Sequence, residues 1–254
     1  MRRPSARITA AALCTALVFS LAACDAFADA PRARAPFAGL SAPEITDKAV
    51  ATTRAATTVR LAVTTESADG PVQAFVAAGA RGACTGTFSL GAAGTMELVR
   101  ADGRVYTKSD EAMLRAAAAD RPAKDGENGR SGGNGNKGER GGDDVERLTG
   151  RWVRARADDR RTAGNLRYCD PRGLLDRIAA TSSTARRGGP SEVAGTPSLT
   201  LTGGTGGERW TAIVATKGPS HLLRMRVTDG TGKALTVEFS GFGAPLTVRK
   251  PAVG

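Results

Sequence analysis

From Thr58 onward the chain alternates polar and apolar residues with period two. Thr58-Val59-Arg60-Leu61-Ala62-Val63-Thr64 sets Val59, Leu61 and Val63 on one side, as a half-buried strand does. Ser67-Ala68-Asp69-Gly70 is a turn, and residues 72–77, 84–90, 95–100 and 105–108 continue as strands. Asp102-Gly103 is the pair favoured in two-residue hairpin turns. A second meander fills the C-terminal third, with strands at 209–216, 222–228 and 235–239 and turns at Gly218-Pro219 and Asp229-Gly230. Pro245-Leu246-Thr247-Val248 closes the fold. Residues 186–190 read as a loop, and Gly203-Gly204-Thr205-Gly206-Gly207 as a hairpin turn. The latter lacks the Gly-Lys-Ser/Thr ending and following helix of a phosphate loop.

Helical spacing appears in three places. A stretch opening at Pro43-Glu44-Ile45 sets Ile45, Ala49, Ala56 and Val59 on roughly one side, and Ser41 with Glu44 has capping-box spacing. Ser109-Asp110 caps a helix over 111–119, and Leu174, Leu175 and Ile178 share one side of a helix over 173–180. Strands in two antiparallel groups with helices between them predict an α+β domain built on one curved sheet. Residues 122–145 are Gly-rich, charged and nearly devoid of apolar side chains. They bury too little surface to offset the entropy of ordering, so a disordered surface loop is expected, with a polar arm touching a partner as the alternative.

Before residue 43 the chain reads differently. Arg2, Arg3 and Arg7 precede an apolar run over 8–23 that is short for a membrane span and ends in small residues, as in a signal peptide. Its end, Leu21-Ala22-Ala23-Cys24, resembles the lipobox of bacterial lipoproteins, in which the Cys thiol is diacylated and becomes the first residue of the mature chain. The chemistry accounts for the residue types: small side chains enter a peptidase cleft, and Cys supplies the sulfur for a thioether. The alternative is a secretory peptide cut near Ala28 or Ala30, with Cys24 incidental. The lipobox reading divides the chain into a signal peptide over 1–23, an Ala/Pro-rich tether over 24–42 and one domain over 43–250. It places the protein on the outer face of the cell membrane, held by a diacylglyceryl anchor on Cys24.

Cleavage before Cys24 removes three Arg and no acid, taking the formal charge from +11 down by three to +8. In an extracytoplasmic protein such a balance favours an anionic envelope surface over nucleic acid. Abundant Ala, Arg and Gly with little Lys is the composition of a GC-rich genome, such as an actinobacterial one. Of four Cys, Cys14 leaves with the signal peptide and Cys24 is acylated. Cys84 and Cys169 remain, and outside the cytoplasm such a pair makes a disulfide more often than a metal site. With one His and no Cys-x-x-Cys, further metal ligands are lacking, and neither metal nor cofactor is expected. Closing a loop across the Gly-rich segment stabilises by about 3–5 kcal/mol in the chain-entropy view. A Ser/His hydrolase would have to use His221, and no Gly-x-Ser-x-Gly elbow precedes a helix, so no enzyme is expected.

In order along the chain, the lipobox, a helix over 44–56, Cys84-Thr85-Gly86, Glu97-Leu98-Val99, Val105-Tyr106-Thr107-Lys108, Gly150-Arg151-Trp152-Val153 and Phe239-Ser240-Gly241-Phe242-Gly243-Ala244-Pro245 resemble the LppX/LprAFG-type actinobacterial lipoproteins of the LolA/LolB-like superfamily. The similarity runs discontinuously over residues 40–250. It implies an unclosed half-barrel, a strongly bent antiparallel sheet wrapped around helices, whose concave side in several members holds acyl chains of envelope lipids or lipoglycans. The Gly-rich insertion departs from that pattern. Strand residues placed to line such a cavity are Leu61, Val63, Phe75, Phe88, Met96, Leu98, Ile213, Leu223, Met225, Leu235 and Val237. Periodicity does not distinguish a hollow interior from a packed one. Two readings stand: a lipoprotein that binds or carries a lipid or other amphiphile, and a filled-core lipoprotein that serves a protein partner in envelope assembly or signalling.

Overall fold

The computed structural model describes residues 36–67, 70–79, 81–119 and 137–253. The expected signal peptide, Cys24, most of the tether and residues 122–136 of the insertion lie outside the described residues. No helix among the described residues is long and apolar enough to cross a membrane.

The first helix, α1 (Ala42–Arg54), begins with the capping box that its sequence predicts. The Ser41 hydroxyl accepts from the Glu44 amide at 3.4 Å, and the Glu44 carboxylate accepts from the Ser41 amide at 2.7 Å. Its buried side carries Ile45, Thr46, Ala49, Val50 and Thr53. Of its two polar members, Thr46 and Thr53, the second reaches the sheet. Its Oγ1 donates to the Ala49 carbonyl at 2.8 Å and accepts from the Leu222 amide at 2.9 Å, so one hydroxyl ties the helix to the sheet.

Eleven strands form one sheet: β1 (Thr58–Ser67), β2 (Gly70–Gly79), β3 (Cys84–Leu90), β4 (Thr95–Ala101), β5 (Arg104–Ser109), β6 (Val153–Ala155), β7 (Arg186–Val193), β8 (Thr196–Gly203), β9 (Arg209–Ala215), β10 (Leu222–Thr228) and β11 (Ala234–Ser240). They lie in the order β6-β5-β4-β3-β2-β1-β11-β10-β9-β8-β7, and every pairing is antiparallel. Two meanders therefore meet at a central seam, where β1 pairs with β11 and Leu61 and Val63 stand opposite Phe239 and Val237. The order is linear, with β6 and β7 at its ends, so the sheet is not closed. This is the expected α+β plan of an unclosed antiparallel sheet.

Between β5 and β7 the chain crosses through α2 (Glu111–Ala119), α3 (Lys137–Leu148), α4 (Arg160–Leu166), a 3-10 turn (Arg167–Cys169) and α5 (Arg172–Ala179). Asp110 caps α2 by accepting from the Met113 amide at 2.8 Å. Helix α3 corrects the expectation of disorder as far as residue 145. Val145 and Leu148, three residues apart, are half-buried, and Asp144 pairs with Arg147 at 2.5 Å. Strand β7 corrects the loop expected over 186–190. As an edge strand it is exposed along most of its length, so no alternation marks it. Pro190 and a register shift between Arg187 and Pro190 interrupt its ladder, both common at sheet edges. Residues 245–248 form no strand; instead Val248 and Trp152 cover a small outer cluster of Val99, Ala101 and Tyr106.

The main core lies on the opposite face. Inward side chains of β1–β4 and β8–β11 pack against α1, α5, Met113 of α2 and Tyr168. The Cys84–Cys169 disulfide joins the start of β3 to the 3-10 turn with its Cα atoms 5.5 Å apart, closing 85 residues of sequence separation.

Candidate amphiphile cavity

The predicted lining residues divide three ways. Leu61, Val63, Phe88, Met96, Leu98, Met225 and Val237 do share the inner face, but all are buried in the packed core beneath the helices. Phe75, Ile213 and Leu223 do not face inward, which corrects the expectation for them. In β2 the inward residues are Ala74, Val76 and Ala78, and Phe75, opposite Ala62 and Thr87, points outward with 62% of its surface exposed. In β9 they are Trp210, Ala212 and Val214, leaving Ile213 outward opposite Arg224. Leu223 is the extra residue of a bulge between Leu222 and Arg224, which shifts the phase of β10 by one. Leu235 alone of the predicted set is half-buried at the edge of an open space.

That space is a cavity of about 680 Å³ at one end of the inner face. Its sheet wall is the end of β1 (Thr65, Glu66, Ser67), the start of β2 (Val72), the end of β3 (Leu90), the end of β10 (Val227) and the start of β11 (Ala234, Leu235). Antiparallel pairing brings all these strand ends to the same edge. The opposite wall is helical: Gly164 and Asn165 from α4, Arg167 and Tyr168 from the 3-10 turn, and Gly173, Leu174 and Arg177 from α5. Val72, Leu90, Tyr168, Leu174, Val227 and Leu235 supply the apolar surface. The Tyr168 ring lies 6.3 Å from that of Phe88, and the Arg167 guanidinium stands 4.8 Å above it while donating to its hydroxyl at 2.9 Å. The tyrosine is thereby fixed in the wall, with 2% of its surface exposed.

Charged groups stand around this cavity. Arg177 pairs with Glu208. Asp229 organises the turn between β10 and β11, its Oδ1 accepting from Thr231 Oγ1 at 2.7 Å and from the Thr231 and Lys233 amides at 2.9 and 3.0 Å. The Thr231 hydroxyl is foremost in holding the Asp229 carboxyl below the ordinary carboxylate range, and Lys233 also lies at the cavity. The Asn165 amide nitrogen is buried with no hydrogen-bond partner among the described residues. An apolar chamber with a few polar groups is the form that small-molecule sites take, typically about 300–1,000 Å³.

His221 takes no part in this cavity. Its ring stacks on Phe242 with centroids 3.9 Å apart, its Nδ1 is buried without a partner among the described residues, and burial pushes its pKa down. Among the described residues no three His, Cys, Asp or Glu gather as metal ligands.

No family model matches this chain, and no curated protein matches it by sequence. Among solved structures the fold is similar to LprF from Mycobacterium bovis, with a TM-score of 0.55 and 15% identity over 83% of this chain and 97% of that one. It is also similar to the Mycobacterium tuberculosis lipoprotein LppX, with a TM-score of 0.48 and 14% identity over 82% and 97% of the two chains. At such identities the likeness speaks for fold alone, and it is the LprF comparison that carries it. The chain has an unclosed antiparallel sheet and shares its fold with LprF.

Proposed function

We propose that this protein binds a lipid or other amphiphile in the cavity between the sheet edge and α4–α5, and that it does so as an envelope lipoprotein anchored through Cys24. The observation that carries the reading is the cavity itself, about 680 Å³ with Val72, Leu90, Tyr168, Leu174, Val227 and Leu235 as apolar walls. An acyl chain entering it leaves water for aliphatic surface, gaining about 0.8 kcal/mol for each CH₂ buried. A polar headgroup stays among Glu66, Arg167, Arg177, Asp229 and Lys233 at the cavity. The ligand chamber is thus displaced from the middle of the inner face, which is filled by core side chains, to one end of it. The fold shared with LprF supports the same reading. The resemblance of residues 21–24 to a lipobox supports the anchor.

The test is native mass spectrometry of the full chain carrying Cys24→Ser, expressed in an actinobacterial host, purified without detergent and followed by lipid extraction. One lipid class in near-stoichiometric amount is expected, and Val72→Arg or Leu235→Arg, both at half-buried positions, is expected to abolish it while the protein stays folded. A protein that carries no lipid and takes up neither added fatty acid nor phospholipid would overturn the reading. The packed centre of the sheet would then favour a filled module that serves a protein partner.

A further inference from the structure

A second cavity, of about 430 Å³, opens at the other edge of the inner face, where β1 begins and β2 and β4 end. Four arginines from four separate segments line it: Arg54 at the end of α1, Arg81 in the turn after β2, Arg100 at the end of β4 and Arg172 at the start of α5. One carboxylate faces them. Asp170 binds Arg172, accepting from Nε at 2.8 Å and Nη2 at 3.0 Å, and Arg54 pairs outside the cavity with Asp176. Among the described residues no carboxylate lies within ion-pair distance of Arg81 or Arg100, although Asp170 is near enough to feel the charge of Arg100. Even with the C-terminal turn of α1 set against Arg54, a surplus of positive charge remains, and it sits on those two.

Arg100 reaches toward the turn after β2. It is half-buried and stands opposite Cys84 in the β3–β4 register, on the inner face. Its guanidinium lies over the backbone of Gly82, with Cζ, Nη1 and Nη2 3.7–3.8 Å from where a Cβ would stand. Gly82 has φ +78°, a conformation that glycine adopts without strain. A half-buried guanidinium with five N–H donors and no carboxylate at ion-pair distance can receive an anion from outside the protein. The floor beneath it is apolar (Val59, Ala78, Leu175), so charge interactions there are screened less than on open surface.

We infer that this cavity binds a phosphate group, with Arg100 and Arg81 as its principal ligands and Arg54 and Arg172 flanking them. Arginine forks match the tetrahedral oxygens of phosphate through paired, charge-assisted hydrogen bonds. The group is carried either by a lipid headgroup or by a small soluble phosphate ester. The inference stands independently of the amphiphile cavity, from which it is separated by α5 and the 3-10 turn.

The test uses the full chain carrying Cys24→Ser, titrated calorimetrically with glycerol 3-phosphate and, separately, with phosphatidylglycerol–phosphatidylcholine vesicles in a sedimentation assay. Saturable binding is expected in at least one arm. Binding of glycerol 3-phosphate assigns a soluble ester, and binding of vesicles alone assigns a headgroup. Arg100→Gln is expected to weaken binding about tenfold and Arg81→Gln somewhat less, the scale of one charge-assisted contact. Asp170→Asn removes the carboxylate that competes for these cations and is expected to tighten binding severalfold, a gain that misfolding would not produce. Arg226→Gln, on an exposed strand position, is the control for diffuse charge. No binding in either arm, or equal losses in the Arg100, Arg81 and Arg226 variants, would overturn the inference.

Discussion

Leu174 and Leu175 are consecutive in α5, yet they line different cavities: Leu174 the apolar chamber, Leu175 the arginine-lined one. Tyr168 and Cys169 divide in the same way just upstream. Helix α5 and the 3-10 turn before it are therefore a partition across the inner face. The Cys84–Cys169 bond fastens that partition to β3.

Breaking the bond should loosen the partition and lower overall stability. For a separation of 85 residues the chain-entropy view gives about 4–5 kcal/mol. The expected outcome for a Cys84→Ser/Cys169→Ser variant is a denaturation midpoint well below that of the oxidised protein, measured by urea unfolding. An unchanged midpoint would show that the unfolded chain gains no freedom when the crosslink is removed.

Thr53→Val keeps the shape of a buried side chain but leaves the Leu222 amide without its acceptor. A buried donor stranded in this way costs about 1–3 kcal/mol. Thr53→Ser, which restores the hydroxyl, should recover most of that loss. Equal stability of the Val and Ser variants would mean that the amide finds another partner.

The capping box of α1 should respond to both mutation and acid. Ser41→Ala is expected to cost about 1 kcal/mol, read from thermal unfolding at neutral pH. Hydrogen bonds from Ser41 hold the Glu44 carboxyl below its ordinary value of 4.5. Stability from this ionised group is fully present above the unfolded value and is lost as pH falls through the folded one. The gap between the natural protein and Glu44→Gln should therefore narrow as pH falls below 4.5 and through the lowered folded value, and a gap that persists unchanged in acid would exclude this origin.

His221 should give a separate pH dependence at higher pH. Burial lowers its pKa from the ordinary 6.5, so the unfolded chain takes up a proton before the folded one does. Stability is fully present above about pH 6.5 and declines as pH falls from there to the lowered value. His221→Phe, which keeps the stack on Phe242, should remove this decline while leaving the carboxylate-dependent loss below about pH 4. A decline of equal size in the variant would assign it to other groups.

Local chemistry was the most legible part of this chain. Ser41 with Glu44, Asp110 before α2 and Asp102-Gly103 between β4 and β5 each act within a few residues, and each forms the feature its spacing predicts. The pairing of Cys84 with Cys169 was legible by elimination. Facing was harder to read. Parity identified the apolar side of β1, but in β2 the large Phe75 sits outward between small inward residues, and the bulge at Leu223 reverses phase within one strand. Strand β7 escaped notice because an edge needs no buried alternation. The walls of the apolar chamber were hidden for another reason: Val72, Leu174 and Val227 are residue types equally at home in a packed core. Arg54, Arg81, Arg100 and Arg172 are scattered along the sequence, and only strand ends and helix ends meeting at one edge bring them together.

The central seam has a consequence for covalent continuity. Strands β1–β5 precede residue 120 and β6–β11 follow residue 136, so a break between those positions interrupts none of the described strands. The two pieces would still share the β1–β11 and β5–β6 ladders and, through Cys84 and Cys169, a covalent bond. A protease cutting there would leave a nicked but undivided molecule, one band without reductant and two with it.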